Sequence, residues 1–158
     1  MNAIADTPDS PGVIARPPLI FLAFLVFGTA LHLLSPFPLL SDWLRPVLAL
    51  PMFAGGASVM AAAVQCFRRA GTNIPTPMPA RRLVTAGIYR YSRNPMYLSL
   101  SLVYLGVALA ENSLWLLLLF LPLQLILHVG VILREEAYLA DRFGFDYQRY
   151  RARVPRWL

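Results

Sequence analysis

A chain of 158 residues in which 58% are apolar and only 14% charged has too little polar surface for a soluble domain. Its apolar residues also fall in long blocks, as in a polytopic membrane protein. The net charge of +6 comes from arginine alone. Those arginines cluster at the ends of apolar runs, which excludes the soluble basic face of a nucleic-acid binder and favours a lipid bilayer with an anionic surface as partner. Cys66 is the single cysteine, which excludes an internal disulfide and a thiolate metal cluster.

In chain order, residues 1–16 carry Asp6, Asp9, Pro8, Pro11 and Gly12 with no basic n-region, and read as a disordered tail, not a cleavable signal. The remainder, 17–158, reads as one all-α membrane domain of about four spans. Pro17 to Leu34 is the first and Trp43 to Phe67 the second, separated by the turn Ser35-Pro36-Phe37-Pro38. Gly55, Gly56 and the run Ala61 to Ala63 let another helix approach the second span closely. Gly71 to Pro79, with Asn73, Thr76 and prolines at 75, 77 and 79, reads as a stiff extended loop. It leads through Arg81, Arg82, Leu83 and Val84 into a polar island from Thr85 to Tyr97. Pro95 to Ala110 is a short third span and Leu114 to about Leu133 the fourth, joined by Glu111-Asn112-Ser113. At about 1.5 Å per residue, roughly eighteen residues nearly cross a hydrocarbon core of about 30 Å.

The tail 134–158 reads as an interfacial helical lid. Leu139 and Phe143 share a face, and Gly144 suits a left-handed C-cap. Asp146 suits the cap of a second short helix holding Tyr147 and Tyr150, and Pro155 stops it. Arg68, Arg69, Arg81, Arg82, Arg90 and Arg93 lie in the long loop, and Arg134, Arg142, Arg149, Arg151, Arg153 and Arg156 follow the fourth span. The other two connections offer only Arg45. The positive-inside rule then makes the long loop and both termini cytoplasmic, so the polar island and the tail share one face.

Arginines, tyrosines and adjacent carboxylates beside lipid are costly unless paired or wet, and their concentration here marks a site. Asn94-Pro95 suits a helix start, with Asn as N-cap, and its free N–H groups beside Arg90 and Arg93 suit an anion. Glu135 and Glu136 suit hydroxyl or ammonium donors. Tyr89, Tyr91 and Tyr97 suit an aromatic wall for a cation. The same residues also suit ordinary caps and interfacial anchors, and on chemistry alone the two readings stand even. His32 and His128 read as packing residues of their spans.

The stretch Leu83 to Tyr97 (LVTAGIYRYSRNPMY), followed by Glu135-Glu136, Phe143-Gly144, Tyr147, Tyr150 and Arg153-Val154-Pro155, resembles the isoprenylcysteine carboxyl methyltransferase and phospholipid methyltransferase superfamily of integral membrane enzymes, in its small bacterial form. The resemblance runs from about Gly71 to the C-terminus. It implies methyl transfer from S-adenosyl-L-methionine, without a metal, to a lipophilic or membrane-associated acceptor. It also implies a bacterial inner-membrane location, with the active site cytoplasmic and closed by the tail. Carried over position by position, it assigns the cofactor to Arg81, Arg82, Leu83, Val84, Tyr89, Asn94, Pro95, Met96, Tyr97 and Glu135, with Glu136 alongside. Two positions depart from the family pattern. Asn94 stands where the eukaryotic carboxyl methyltransferases usually have His, and Val131 stands where a substrate-contacting arginine is expected. The catalytic residue stays open, with Arg134 and Arg153 as candidates. The rival readings are an NADPH-dependent membrane reductase of related architecture and a non-enzymatic membrane protein.

Overall fold

The computed structural model describes residues 11–72 and 80–158. The stiff loop read over Gly71 to Pro79 therefore lies almost wholly outside the described residues, as do residues 1–10 of the tail.

Helix α1 spans Pro17–Leu34, α2 Leu44–Ala70, α3 Pro95–Ala110, α4 Leu114–Leu127 and α5 Leu133–Arg153, and no strand occurs among the described residues. Prolines occupy the first turn of α1 and the start of α3, where the missing N–H costs nothing. Ser113 caps α4, its hydroxyl accepting from the Leu116 N–H at 3.3 Å. Three helical runs are long and apolar enough to cross a membrane, beginning at Pro17, Leu44 and Leu114. Helix α3 is apolar but has only 16 residues, about 24 Å of rise. Leu19, Leu22, Val26 and Phe27 on α1, with Leu118, Leu121 and Leu125 on α4, face outward. Outward apolar side chains in this number suit lipid, and the chain is an integral membrane protein.

Helix α3 is the hub, packing on α2, α4 and α1. The small residues read on the second span do serve this contact. A side chain at Gly56 would meet Val103 at 2.8 Å, and the Ser99 hydroxyl donates to the Gly56 carbonyl at 2.7 Å. On the α4 side, Tyr104 donates to the Leu116 carbonyl at 3.0 Å and Gln124 to the Ser101 hydroxyl at 2.6 Å. At the far end of the bundle, Asn112 turns the α3–α4 corner with φ of 56° and accepts from the N–H groups of Leu39 and Leu40, both at 2.8 Å. That fastens the α1–α2 connection to the corner.

Two findings differ from the sequence reading. The fourth span runs without a break through one π turn, His128–Ile132, into α5. Residues 11–16, read as tail, lie against that turn. The Ile14 N–H donates to the Gly130 carbonyl at 3.2 Å, Ile14 fills the space where Gly130 lacks a side chain, and Arg134 donates to the Gly12 carbonyl at 2.7 Å. The expected break at Gly144 is present, with φ of 50° and ψ of −122° inside α5, a backbone region that only glycine enters cheaply. Asp146 is exposed beyond it, and the second half of α5 runs to Arg153, with Pro155 following.

Candidate active site

The site forms where α2, α3 and the two halves of α5 meet. A short 3-10 turn, Gly87–Arg90, packs on the last turns of α2. It buries Tyr89 edge-on against Phe67, with ring centroids 5.4 Å apart. Ala80 is pinned to α5 by two bonds: Tyr138 accepts from its N–H at 3.2 Å and Arg142 donates to its carbonyl at 2.6 Å. Residues 80–84 are thereby laid along α5 as one wall. Beyond the Gly144 bend, Tyr147 and Tyr150 turn back over the opening, and the Tyr150 hydroxyl donates to the Tyr89 carbonyl at 2.7 Å. The cavity they leave is partly open, with about 90 Å³ inside.

The two adjacent carboxylates have separate environments. Glu135 is half-buried and faces the cavity, and the Tyr97 hydroxyl lies 2.8 Å from each of its oxygens. Burial pushes this carboxyl up to about 7, with the Tyr97 hydrogen bond pulling the other way. Glu136 is clamped between two guanidiniums, Arg93 at 2.9 Å and Arg156 at 2.8 Å. Its burial acts upward, but the Arg156 hydrogen bonds and the Arg93 charge outweigh that and hold it below its ordinary value. The tail returns to the α3 start in the same place. The Arg93 N–H donates to the Pro155 carbonyl at 3.0 Å, while Ser92 and Asn94 donate to the Arg156 carbonyl at 3.2 and 3.1 Å.

Of the residues singled out in the sequence, Arg82, Leu83, Val84, Tyr89, Asn94, Met96, Tyr97, Glu135 and Glu136 line this one cavity. Pro95 is fully buried beneath it, and Arg81 is exposed outside it. Asn94 stands at the N-cap position but does not cap, because its amide is committed to Arg156. Arg93 is no free anion ligand, since Glu136 neutralises it. Arg134 points to the N-terminal segment and Arg153 to a neighbouring cavity, so neither catalytic candidate reaches this one. Tyr91 is exposed. Sequence reasoning missed Phe67, Leu139 and Arg156. Phe67 gave a faint signal as the last aromatic of α2, whereas Arg156 gave none, since its role depends on where the tail returns.

A family model described as phospholipid methyltransferase matches residues 44–146. The chain belongs to that family. The matched part of this phospholipid methyltransferase family member runs from α2 to just past the Gly144 bend. The chain is 38% identical over 73 residues to "Protein-S-isoprenylcysteine O-methyltransferase" of Schizosaccharomyces pombe, an alignment covering 46% of this chain and 31% of that protein. It is 46% identical over 66 residues to an uncharacterized protein of Haemophilus influenzae, covering 40% of this chain and all of that one. The chain thus spans under a third of the length of the fission-yeast relative. No solved structure matches.

Proposed function

We propose that this chain transfers a methyl group from S-adenosylmethionine to a lipophilic acceptor at the membrane surface. The observation that carries the proposal is Glu135. A carboxylate held by Tyr97 toward an aromatic-walled cavity, and taken up to about 7 by burial, is a group with an unmet need for a cation or for hydroxyl donors. S-adenosylmethionine has both, in its ammonium and its ribose diol. Glu135 would hold one of these, and Arg82 would take the carboxylate. Asn94 leaves the first-turn N–H groups of α3 uncapped on that side, which adds donors for the same anion. Leu83, Val84, Met96 and Phe67 would cover the adenine, and Tyr89 and Tyr147 would face the sulfonium.

Bound there, the cofactor supplies an electrophilic methyl group on positively charged sulfur. The residues around it need to do little acid–base work. Tyr147 and Tyr150 exclude water, and the fixed walls hold the acceptor atom in line. The cavity lies where α3 begins and the apolar run of α4 has ended, which suits an acceptor that stays in lipid. A lipidated cysteine carboxylate, a phospholipid amine and a small hydrophobic thiol all meet that condition. The buried Val131 supplies no cation for a carboxylate. Purified protein is expected to bind S-adenosylhomocysteine at micromolar strength and to leave NADPH unbound. With labelled S-adenosylmethionine, membranes containing each acceptor class should show which one is methylated. Binding of NADPH without S-adenosylhomocysteine would instead establish a reductase.

We propose, by the positive-inside rule, that the site and both termini lie on the cytoplasmic side. Asp42, with its side chain 96% exposed at the far end of the bundle, serves to test this. In a Cys66-free background, a cysteine at 42 should react with an impermeant thiol reagent in intact cells, and one at Arg69 should not. The reverse pattern would invert the orientation.

A further inference from the structure

Beside the first cavity lies a second of about 560 Å³, and the two share Leu83 and Tyr150 as a common wall. Its polar lining is Thr85, Arg90, Arg149 and Arg153, with Asp146 as the only acid. Among the described residues, none of these three exposed guanidiniums has a hydrogen-bond or ion-pair partner; the same holds for Arg16, Arg68, Arg69, Arg81, Arg82 and Arg151, but only these three line one cavity together. Arg149 lies over the ring of Phe145, 4.8 Å from its centroid. That contact holds the guanidinium by the ring without using its N–H donors, which stay available for a phosphate.

The second half of α5 is two-faced. Tyr147 and Tyr150 are buried and line the first cavity, and Phe145, Arg149 and Arg153, four residues apart along the helix, are exposed. Phe145 is 68% exposed, and nearby in sequence to Arg90, Tyr91 is 71% exposed. Exposed aromatic rings beside unpaired arginines, on a helix that follows an apolar span, mark the membrane–water boundary.

We propose that the cavity of Arg90, Arg149 and Arg153 holds the phosphate of an anionic phospholipid headgroup, with Phe145 set among the outer acyl carbons. Three positive side chains against one negative give the charge complement, and the exposed rings of Phe145 and Tyr91 beside them give the source. The site is separate from the first cavity and stands whether or not that cavity takes the cofactor.

The test uses the full chain in mixed micelles of phosphatidylglycerol and phosphatidylcholine at equal amounts, with retained lipid read by native mass spectrometry. Wild type is expected to keep phosphatidylglycerol about tenfold over phosphatidylcholine, and R90Q/R149Q/R153Q to fall to near parity. R68Q/R69Q/R151Q removes the same charge from outside the cavity and should keep most of the preference. D146N should increase it, a gain that misfolding cannot produce. Millimolar inorganic phosphate should not displace the lipid. Preference retained by the cavity variant, equal loss in both triple variants, or displacement by free phosphate would each overturn the proposal.

Discussion

Replacing Glu136 with alanine is expected to destabilise the protein by about 3–5 kcal/mol, the usual result of removing one partner from a buried ion pair. The side chains of Arg93 and Glu136 are 9% and 8% exposed, so the variant strands a guanidinium with little water around it. Arg93 has no reserve partner to absorb the loss. Its remaining side-chain bond is to the Tyr147 hydroxyl at 3.3 Å, and its Nε is buried without a partner. Arg156→Ala should cost less, about 1–2 kcal/mol, because that side chain is 27% exposed and the Arg93–Glu136 pair survives it. The sign with pH follows from the depressed Glu136 carboxyl. A lowered folded-state value contributes stability above the ordinary carboxylate range and loses it as the pH falls below that range. Thermal unfolding in detergent should therefore show a wide gap between wild type and Glu136→Gln at neutral pH, narrowing in acid. Equal midpoints at neutral pH would mean that the clamp holds nothing.

The parts of this fold that sequence makes plain are those set by local chemistry. Apolar runs mark α1, α2 and α4, Pro95 marks the start of α3, and Gly144 marks a bend because its backbone needs a positive φ. The polar island and the Glu135-Glu136 pair likewise advertise a site, and most of the residues named there do line one cavity. What sequence conceals is decided by the returning tail. Adjacent residues on a helix point about 100° apart, so the two carboxylates, though both line the cavity, meet different partners. Only the position of Arg156 shows that Glu136 is the one removed from ligand duty. Asn94 is the same case: a good capping residue is diverted because the Arg156 carbonyl arrives beside it. The π turn is a different matter. One extra residue in a helical turn changes neither composition nor apolar period enough to be read, and its visible consequence, the docking of Ile14 on Gly130, is a contact between distant parts of the chain.

Binding of S-adenosylhomocysteine should weaken as the pH falls from 8 to 6, by up to about tenfold per unit once below the Glu135 value, and Glu135→Gln should abolish the dependence. From α3, Glu135 faces Tyr97, and from the 3-10 turn Tyr89; on its own helix Glu136 follows it, already neutralised by Arg93 and Arg156. No free cation thus offsets its burial, and the carboxyl sits at about 7. The sign is opposite to that of Glu136. A raised carboxyl keeps its proton in the fold while the unfolded chain loses its own, so stability declines as pH rises from the ordinary carboxylate range to about 7 and then levels. A ligand ammonium reverses this by favouring the ionised form, which is why affinity climbs over the window in which the empty fold weakens. Glu135→Gln keeps the shape and a hydrogen-bonding group but cannot match that charge, and at pH 8 it should bind more weakly by about 1–3 kcal/mol. Unchanged affinity in Glu135→Gln would remove Glu135 from the site. A pH slope that persists in the variant would assign the titration to another group and leave the methyltransferase reading to rest on the family alone.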